Sequence, residues 1–185
     1  MARLYVLQGK WTDAVLTFIT GGARSGKSAR AQALAESQSG ELVYIATAQA
    51  FDDEMADRIA RHQRDRGPRW RTVECPIELA EAILREAHQD RVVLVDCLTL
   101  WTSNLLLGGI DLATSSKRLL DALAQVRSPV ILVSNEVGMG IVPDNALARQ
   151  FRDMAGRINQ DVAALADRAE LVVAGLVIPL KQPPG

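Results

Sequence analysis

The stretch GGARSGKS at positions 21–28 constrains the fold of this chain more than any other part of the sequence. Its residues Gly21, Gly26, Lys27 and Ser28 fit the pattern G-x-x-x-x-G-K-[ST]. It also stands between the apolar run 16–20 and the helix-forming run 32–35. Glycines let successive backbone N–H groups turn toward phosphate oxygens, and a following helix adds its positive end. The alternative is a glycine-rich turn with an incidental lysine, but the place between strand and helix favours a phosphate-binding P-loop.

The P-loop pattern predicts a role for each residue of the loop. We expect Lys27 to act catalytically at the β- and γ-phosphates and Ser28 to hold Mg²⁺. Asp96 ends the apolar run 92–95, which makes it the candidate carboxylate for the same metal, although it also suits a strand-ending turn. The loop residues predicted to contact the nucleotide are Gly21, Gly22, Ala23, Arg24, Ser25, Gly26, Lys27 and Ser28.

Apolar runs separated by stretches of helical period predict an α/β fold. The runs lie at 16–20, 42–47, 91–96, 130–134 and 171–178, and their Val, Ile and Leu content is typical of strands buried on both faces. Apolar residues then recur every three or four positions from Leu147 to Leu165, which predicts a helix after Pro143 with Asp144 or Asn145 as N-cap. These patterns predict a mostly parallel sheet flanked by helices in three layers, with ligands at the carboxyl ends of the strands.

Length and element order predict one catalytic domain. A chain of 185 residues is long enough to close a single hydrophobic core. We expect residues 16–185 to form one P-loop nucleotide-binding domain with a frayed end from Gln182 onward. Residues 1–15 are expected to be an N-terminal extension, and an additional edge strand near their start remains the alternative.

Composition limits the partners and the compartment that we expect. With 21 basic and 22 acidic residues the formal net charge is -1, which provides no overall attraction to nucleic acid or to an anionic membrane. Cys75 and Cys97 are the only cysteines and form no CxxC pair, so neither a zinc site nor a disulfide framework is expected. The longest apolar run is too short to cross a bilayer, and the N-terminus lacks a signal layout. We therefore expect a cytoplasmic protein without a membrane anchor or a nucleic-acid partner.

An arginine-rich segment, 51–74, holds one of the two histidines of the chain. Met55, Ile59 and His62 fall at helical spacing, so His62 lies on an apolar stripe if the helix extends that far. Six arginines surround this position and favour the binding of anions, at 58, 61, 64, 66, 69 and 71. A neutral imidazole in such surroundings is a candidate nucleophile toward phosphorus, and a half-buried packing histidine is the competing interpretation.

Several residues near the predicted strand ends have two interpretations each. Asn135 and Glu136 either position substrate and metal-bound water or form a polar turn. Trp70 and Trp101 either stack on ligand rings or pack, and packing is favoured for Trp101. His88 fits the exposed end of a helix predicted at 77–87.

The order of these segments carries a resemblance. TFITGGARSGKSARAQALAE, VYIATAQAFDDEMADRIARHQ, RWRTVE, VLVDCLTLWTSNLL, SNEVGMGIVPDNALARQFRDMAGRINQDVAALAD and LVVAGL together resemble the bifunctional adenosylcobinamide kinase / adenosylcobinamide-phosphate guanylyltransferase family of cobalamin biosynthesis. The resemblance runs from about residue 16 to 180. Residues 1–15 lie outside it, and ADRAELVVAGLVIPLK departs slightly from the usual end of the family.

The resemblance implies a RecA-like P-loop NTPase fold and a two-step enzyme. ATP or GTP first phosphorylates the aminopropanol hydroxyl of adenosylcobinamide, and GTP then gives GMP to adenosylcobinamide phosphate with release of pyrophosphate. The histidine of the family's RIxxH segment corresponds to His62 and carries GMP as an intermediate. A homotrimer is implied as well. Further residues implied to line the nucleotide site are Ala46, Thr47, Ala48, Gln63, Arg64, Asp65, Arg66, Glu74 and Asp96.

Residue patterns alone leave two other functions open. A P-loop small-molecule kinase without guanylyl transfer explains residues 21–28 and Asp96 but not the segment around His62. A non-catalytic nucleotide-binding regulatory module explains the loop without any turnover. Glu74 is similarly open, since it suits either a guanine edge or the solvated surface.

Overall fold

The computed structural model describes residues 16–49 and 67–182. Its strands are β1 (Leu16–Gly21), β2 (Glu41–Ala46), β3 (Trp70–Glu74), β4 (Arg91–Asp96), β5 (Val130–Asn135), β6 (Arg168–Val173) and β7 (Leu176–Lys181). Its helices are α1 (Lys27–Glu36), α2 (Leu79–Glu86), α3 (Leu98–Leu107), α4 (Leu112–Leu123) and α5 (Ala146–Leu165). The expectations for residues 1–15, for the segment around His62 and for the last residues of the tail fall outside the described residues.

All seven strands belong to one sheet in the order β3-β2-β4-β5-β1-β6-β7. Every neighbouring pair is parallel except β6 and β7. One strand, β5, separates β1 from β4, as expected for a RecA-like arrangement. The predicted mostly parallel sheet is confirmed, and the parallel strands bring their carboxyl ends to a single edge of the sheet.

Helices cover both faces of the sheet because its central strands are apolar on both sides. Phe18 packs into one cluster together with Trp101 from α3, and the neighbouring Ile19 packs into the other together with Leu34 from α1. The predicted three-layer α/β fold is therefore confirmed. Trp101 is almost fully buried, and its Nε1 donates a hydrogen bond to the carbonyl of Ile77 at 2.6 Å, which confirms its packing role.

The predicted single strand at 171–178 is wrong, because the chain turns back within it. Ala174 and Gly175 have φ values of 51° and 78° and connect β6 to the antiparallel β7. Two positive φ angles are typical of the two-residue hairpin turn whose twist matches its strands. The continuous apolar composition conceals this turn. Strand β3 was not predicted, since its polar and aromatic residues form no apolar run.

The predicted helix after Pro143 is confirmed as α5. Asn145 is its N-cap, and its Oδ1 accepts a hydrogen bond from the backbone N–H of Ala148 at 2.7 Å. The helix predicted at 77–87 is the shorter α2, and His88 is exposed just after it, as expected. None of the helices within the described residues is long and apolar enough to cross a membrane.

Candidate active site

The P-loop joins the end of β1 to the start of α1 at the carboxyl edge of the sheet. Arg24 and Gly26 adopt positive φ values of 56° and 100°, so the chain reverses direction within a few residues. Gly26 caps α1 without any side-chain hydrogen bond, and no acidic residue lies in the first turn. The first N–H groups of α1 and its positive dipole end therefore face the loop without a competing carboxylate, which suits a bound phosphate.

Neighbouring backbone holds the loop from two sides. The N–H of Gly175, in the β6–β7 turn, donates to the carbonyl of Ser25 at 2.8 Å. The N–H of Glu136, just after β5, donates to the carbonyl of Gly21 at 3.0 Å. The buried Lys27 donates from Nζ to the carbonyl of Gly22 at 3.1 Å, which brings its ammonium group over the loop. The structure thus places the predicted cation beside the predicted phosphate cradle.

The predicted loop residues differ in how accessible their side chains are. Gly22, Ala23, Arg24 and Gly26 are exposed, and Ser28 is half-buried at the first turn of α1. Ser25 is buried, and its Oγ lies 2.6 Å from where a Cβ on Gly21 would stand. Ser25 therefore contributes backbone geometry to the loop, while its side chain fills the space beneath it.

Asp96 lies at the carboxyl end of β4, two strand positions from β1. Two inter-strand spacings correspond to about 10 Å, and α1 packs on both β4 and β5. The first turn of α1 and the end of β4 thus border the same crevice. The hydroxyl of Tyr44 donates to Asp96 Oδ2 at 3.1 Å, which orients the carboxylate.

The donor set at this crevice fits a magnesium ion held with a nucleotide. A half-buried serine hydroxyl and an oriented carboxylate provide oxygen atoms, the ligand type that Mg²⁺ prefers. In the described residues no group of three or more His, Cys, Asp or Glu side chains is arranged to hold a metal. An ion here would complete its coordination with phosphate oxygens and water, which is the usual arrangement for magnesium in phosphoryl-transfer sites.

Side-chain hydrogen bonds join the end of β2 to the end of β4. We call residues 46–48 and 96–97 the β2–β4 crest. The Oγ1 of the fully buried Thr47 donates to the carbonyl of Cys97 at 2.8 Å and accepts from its N–H at 2.8 Å. Asn104 of α3 donates from Nδ2 to the carbonyls of Thr47 at 2.8 Å and Pro76 at 3.0 Å. The Thr47 hydroxyl therefore serves the crest itself.

The sequence patterns did not predict Tyr44 or Asn104 as site-supporting residues. Asn104 is an amide within the leucine-rich run LTLWTSNLLL, and the structure buries it. Buried polar side chains need hydrogen-bond partners, so such a residue indicates a polar contact. Ala46 is buried and Ala48 half-buried on the crest, and Glu74 is exposed at the carboxyl end of β3.

Cys97 follows Asp96 directly, but its thiol is chemically inert at neutral pH. Burial, and to a smaller extent the charge of Asp96, raises the pKa of the Cys97 thiol to about 11. The thiolate is the form that attacks electrophiles and binds metals. Cys97 therefore serves the crest through its backbone N–H and carbonyl.

Glu136 forms the polar turn that was one of its two sequence interpretations. Its carboxylate accepts from the N–H groups of Gly138 at 2.7 Å and Met139 at 3.0 Å. Asn135 is registered with Gly21 across the β1–β5 pair. The loop after β5 thus begins beside the P-loop. The predicted residues His62, Gln63, Arg64, Asp65 and Arg66 lie outside the described residues.

Comparisons with known proteins extend over nearly the whole chain. Residues 17–180 match the family described as cobinamide kinase / cobinamide phosphate guanyltransferase. The bifunctional adenosylcobalamin biosynthesis protein CobP of Pseudomonas aeruginosa is 47% identical over 168 residues, covering 90% of this chain and 97% of that protein. The bifunctional adenosylcobalamin biosynthesis protein CobU of Salmonella typhimurium is 45% identical over 182 residues, covering 90% and 100%. A solved structure from Pyrococcus horikoshii, at 8% identity and a TM-score of 0.52 over 90% of this chain and 86% of that one, shares the fold alone.

Proposed function

Because the chain belongs to the cobinamide kinase / cobinamide phosphate guanyltransferase family, we propose that it phosphorylates adenosylcobinamide with ATP or GTP and then transfers GMP from GTP to adenosylcobinamide phosphate. The observation that carries the proposal is the P-loop, with Lys27 over it, bordering the same crevice as Asp96. A small-molecule kinase without guanylyl transfer and a non-catalytic nucleotide-binding module are not favoured, since the relatives are bifunctional biosynthetic proteins.

In the kinase step the aminopropanol hydroxyl of adenosylcobinamide attacks the γ-phosphorus. A bond forms between that oxygen and phosphorus, the bond from phosphorus to the β–γ bridging oxygen breaks, and the hydroxyl proton is released. The loop N–H groups and the ammonium of Lys27 stabilise the negative charge on the phosphate oxygens. Catalysis here consists mostly of alignment and charge stabilisation.

We assign Ser28 and Asp96 as the residues that hold Mg²⁺, directly or through water. When bound, the ion neutralises charge on the phosphate oxygens of the nucleotide. The contribution of the protein is the placement of these two oxygen donors, since α1 fixes Ser28 and Tyr44 orients Asp96.

In the guanylyl step His62 is the proposed nucleophile. Its neutral imidazole attacks the α-phosphorus of GTP, the bond from that phosphorus to the α–β bridging oxygen breaks, and pyrophosphate leaves. The phosphate of adenosylcobinamide phosphate then attacks the same phosphorus, and the bond from phosphorus to the imidazole nitrogen breaks. Two steps replace one displacement between two anions, and the first step uses an uncharged nucleophile.

The remaining family-derived residues are proposed to border the nucleotide. Ala46, Ala48 and the segment 63–66 are proposed to line its nucleoside side, and Glu74 is proposed to accept hydrogen bonds from a guanine edge. Thr47 acts by holding Cys97, and through it the position of Asp96.

Labelling with GTP tests the proposal directly. The wild-type protein is incubated with GTP labelled at the α- or the γ-phosphate, in the presence of Mg²⁺ and adenosylcobinamide. We expect both labels in the corrinoid product, and acid-labile α-label on the protein when adenosylcobinamide is left out. His62→Ala should keep γ-transfer and lose the α-label, whereas His88→Ala, at the other histidine, should keep both.

Each other outcome identifies another function. Transfer of γ-label without any protein α-label supports an ordinary kinase, and binding without turnover supports a regulatory module. Covalent α-label that survives in His62→Ala excludes the proposed nucleophile.

We further propose that residues 16–185 act as one catalytic domain after an extension of residues 1–15, that the protein assembles as a homotrimer and that it works in the cytoplasm. All the strands of the described residues belong to one sheet, which supports a single domain. Exposed apolar side chains on β7, namely Leu176, Ile178 and Leu180, offer a surface to a second copy. Cys75 and Cys97 are free thiols, which fits a reducing compartment. Light scattering on the purified protein measures the subunit number.

A further inference from the structure

The first part of α5 extends beyond the carboxyl edge of the sheet. Just after the end of the helix, the N–H of Asp167 donates to the carbonyl of Leu16, at the amino end of β1, at 2.9 Å. Further back in the helix, Asn159 donates from Nδ2 to the carbonyl of Asn135, at the carboxyl end of β5, at 3.2 Å. Ala146 precedes Asn159 by 13 residues. At a rise of about 1.5 Å per residue, α5 therefore continues about 20 Å past the edge.

We call residues 136–150, the loop after β5 and the first turn of α5, the overhanging arm. It begins beside the nucleotide site, because Glu136 donates its N–H to the carbonyl of Gly21. It is also braced at both ends. The Glu136 carboxylate accepts from Gly138 and Met139, and Arg149 donates from its guanidinium to the carbonyls of Pro143 at 2.9 Å and Asp144 at 2.7 Å.

The braced arm presents apolar side chains to solvent. Met139 is 79% exposed, Ile141 97%, Val142 61% and Leu147 52%. Between Val137 and Pro143 the sequence VGMGIVP carries no charge. Contiguous exposed apolar side chains on a surface mark an interaction site more often than chance exposure. Residues 137–143 of the arm therefore offer an uncharged, apolar surface next to the P-loop.

We propose that the overhanging arm binds the corrin macrocycle of the acceptor, with Met139, Ile141 and Val142 against its methyl-bearing rim. The inference rests on the proposed function, because that function identifies adenosylcobinamide as the acceptor. The acceptor hydroxyl has to meet the γ-phosphate at the P-loop, so the bulk of the molecule has to lie on whatever borders that loop. Among the described residues bordering it, the arm combines height above the edge, exposed apolar side chains and an uncharged run at 137–143.

Two other occupants suit the arm less well. A nucleotide needs hydrogen-bond donors and cations for its phosphates, and residues 137–143 provide no side-chain cation. For a second copy of the chain, β7 already offers a separate apolar surface. Strand β7 is at the edge of the sheet, and β6 separates it from β1. The arm instead continues directly from the carbonyl contact with Gly21, and this continuity favours the acceptor.

The test compares corrinoid binding with nucleotide use in matched variants. Met139→Ser/Ile141→Ser removes the two most exposed apolar side chains of the arm, and Ile141→Leu keeps an apolar side chain of similar size. Leu107→Ser is the control, because Leu107 is 65% exposed at the last position of α3 and does not belong to the arm. Equilibrium dialysis with adenosylcobinamide, followed by its visible absorbance, measures binding without turnover. The KM values for GTP and for adenosylcobinamide and the mass by light scattering are measured on the same samples.

We expect the double variant to bind adenosylcobinamide at least about tenfold more weakly, with the KM for GTP unchanged. Ile141→Leu and Leu107→Ser should bind it like the wild type. Unchanged corrinoid affinity in the double variant overturns the inference, and so does a change of mass with unchanged affinity, which assigns the arm to a contact between copies. A wild-type protein that neither binds nor phosphorylates adenosylcobinamide instead overturns the proposed function itself.

Discussion

The P-loop and the β2–β4 crest border the same crevice, but different interactions hold them in place. Backbone groups fix the P-loop, since Gly175 donates to Ser25 and Glu136 donates to Gly21. Side chains fix the crest, since the Thr47 hydroxyl bonds Cys97 twice. The first kind of support depends on the space that glycine leaves free, and the second depends on single hydroxyl and amide groups.

This difference predicts different responses to mutation on the two sides of the site. A substitution at Gly21, at the start of the P-loop, acts by steric conflict with backbone that cannot move away. A substitution on the crest acts by leaving a buried polar group without its partner, or by removing a ligand group outright. The four predictions below test this contrast, beginning with the largest effect.

Asp96→Asn should have the largest effect, because it removes the negative charge that faces the proposed metal. We expect kcat of the kinase step to fall by about 10³-fold, with the free energy of unfolding nearly unchanged. Measurements of γ-label transfer across Mg²⁺ concentrations and urea unfolding curves check this. Tyr44→Phe, which removes only the hydrogen bond to Asp96 Oδ2, should lower kcat far less. Near-normal activity of Asp96→Asn would show that Asp96 does not hold the metal.

Gly21→Ala should destabilise the fold, whereas Gly22→Ala should not. A Cβ on Gly21 would clash with the carbonyl oxygen of Val172 on β6 and lie 2.6 Å from Ser25 Oγ, while a Cβ on Gly22 would meet nothing within 4 Å. Overpacking of this kind costs about 3 kcal/mol, because the backbone of β6 is fixed by its neighbours. Urea unfolding of both variants measures the difference. Equal stability of the two would show that β6 can yield, and the idea of a rigid backbone support would be wrong.

The same contrast explains which features could be predicted from the sequence. Gly21, Gly26, Lys27 and Ser28 are recognisable because backbone geometry demands particular residue types at particular spacings. The central strands are recognisable for a similar reason, since burial on both faces demands continuous apolar residues. Asp96 is a candidate for a similar reason, because it directly ends such a run.

Features that depend on tertiary partners could not be predicted in this way. Strand β3 lies at the edge of the sheet, where one apolar face suffices, so its pattern resembles a loop. The turn at Ala174 and Gly175 is hidden within apolar residues that belong to two strands. The resemblance predicts Thr47 only as a nucleotide-lining residue, because its partner Cys97 lies 50 positions further along the chain.

Thr47→Val tests the side-chain support of the crest with almost no change in shape. It leaves the buried N–H and carbonyl of Cys97 without the hydroxyl, which should cost about 2 kcal/mol of stability. We also expect a higher Mg²⁺ concentration for half-maximal kinase activity, because Cys97 follows Asp96 directly. Thr47→Ser retains the hydroxyl and is the matched control. A valine variant with wild-type stability and wild-type Mg²⁺ dependence would show that the crest does not depend on Thr47.

At the opposite edge of the sheet a third kind of support is found, in which ion pairs of Glu86 take the place of the buried hydroxyl contacts of the crest. Its carboxylate is nearly buried at the end of α2 and pairs with Arg71, with Arg85 at 3.3 Å and with Arg91 at 3.2 Å. Burial acts to raise the pKa of Glu86, but the hydrogen bonds from Arg71 and Arg85 outweigh it, so the pKa lies below the ordinary value of 4.5. A carboxyl whose pKa is lowered by folding stabilises the fold above its unfolded-state pKa, and that stability is lost as the pH falls through the folded-state pKa.

Glu86→Gln should therefore lower the free energy of unfolding at neutral pH by only about 1 kcal/mol, because the arginines remain partly solvated. The difference from the wild type should persist down to the ordinary carboxyl pKa and then close as the pH falls further. Urea unfolding of both proteins at neutral pH and at about pH 3 measures it. If Glu86→Gln lowers the free energy of unfolding as much in acid as at neutral pH, Glu86 acts through packing. The ion pairs of Glu86 would then respond to pH no differently from the hydrogen bonds of the crest.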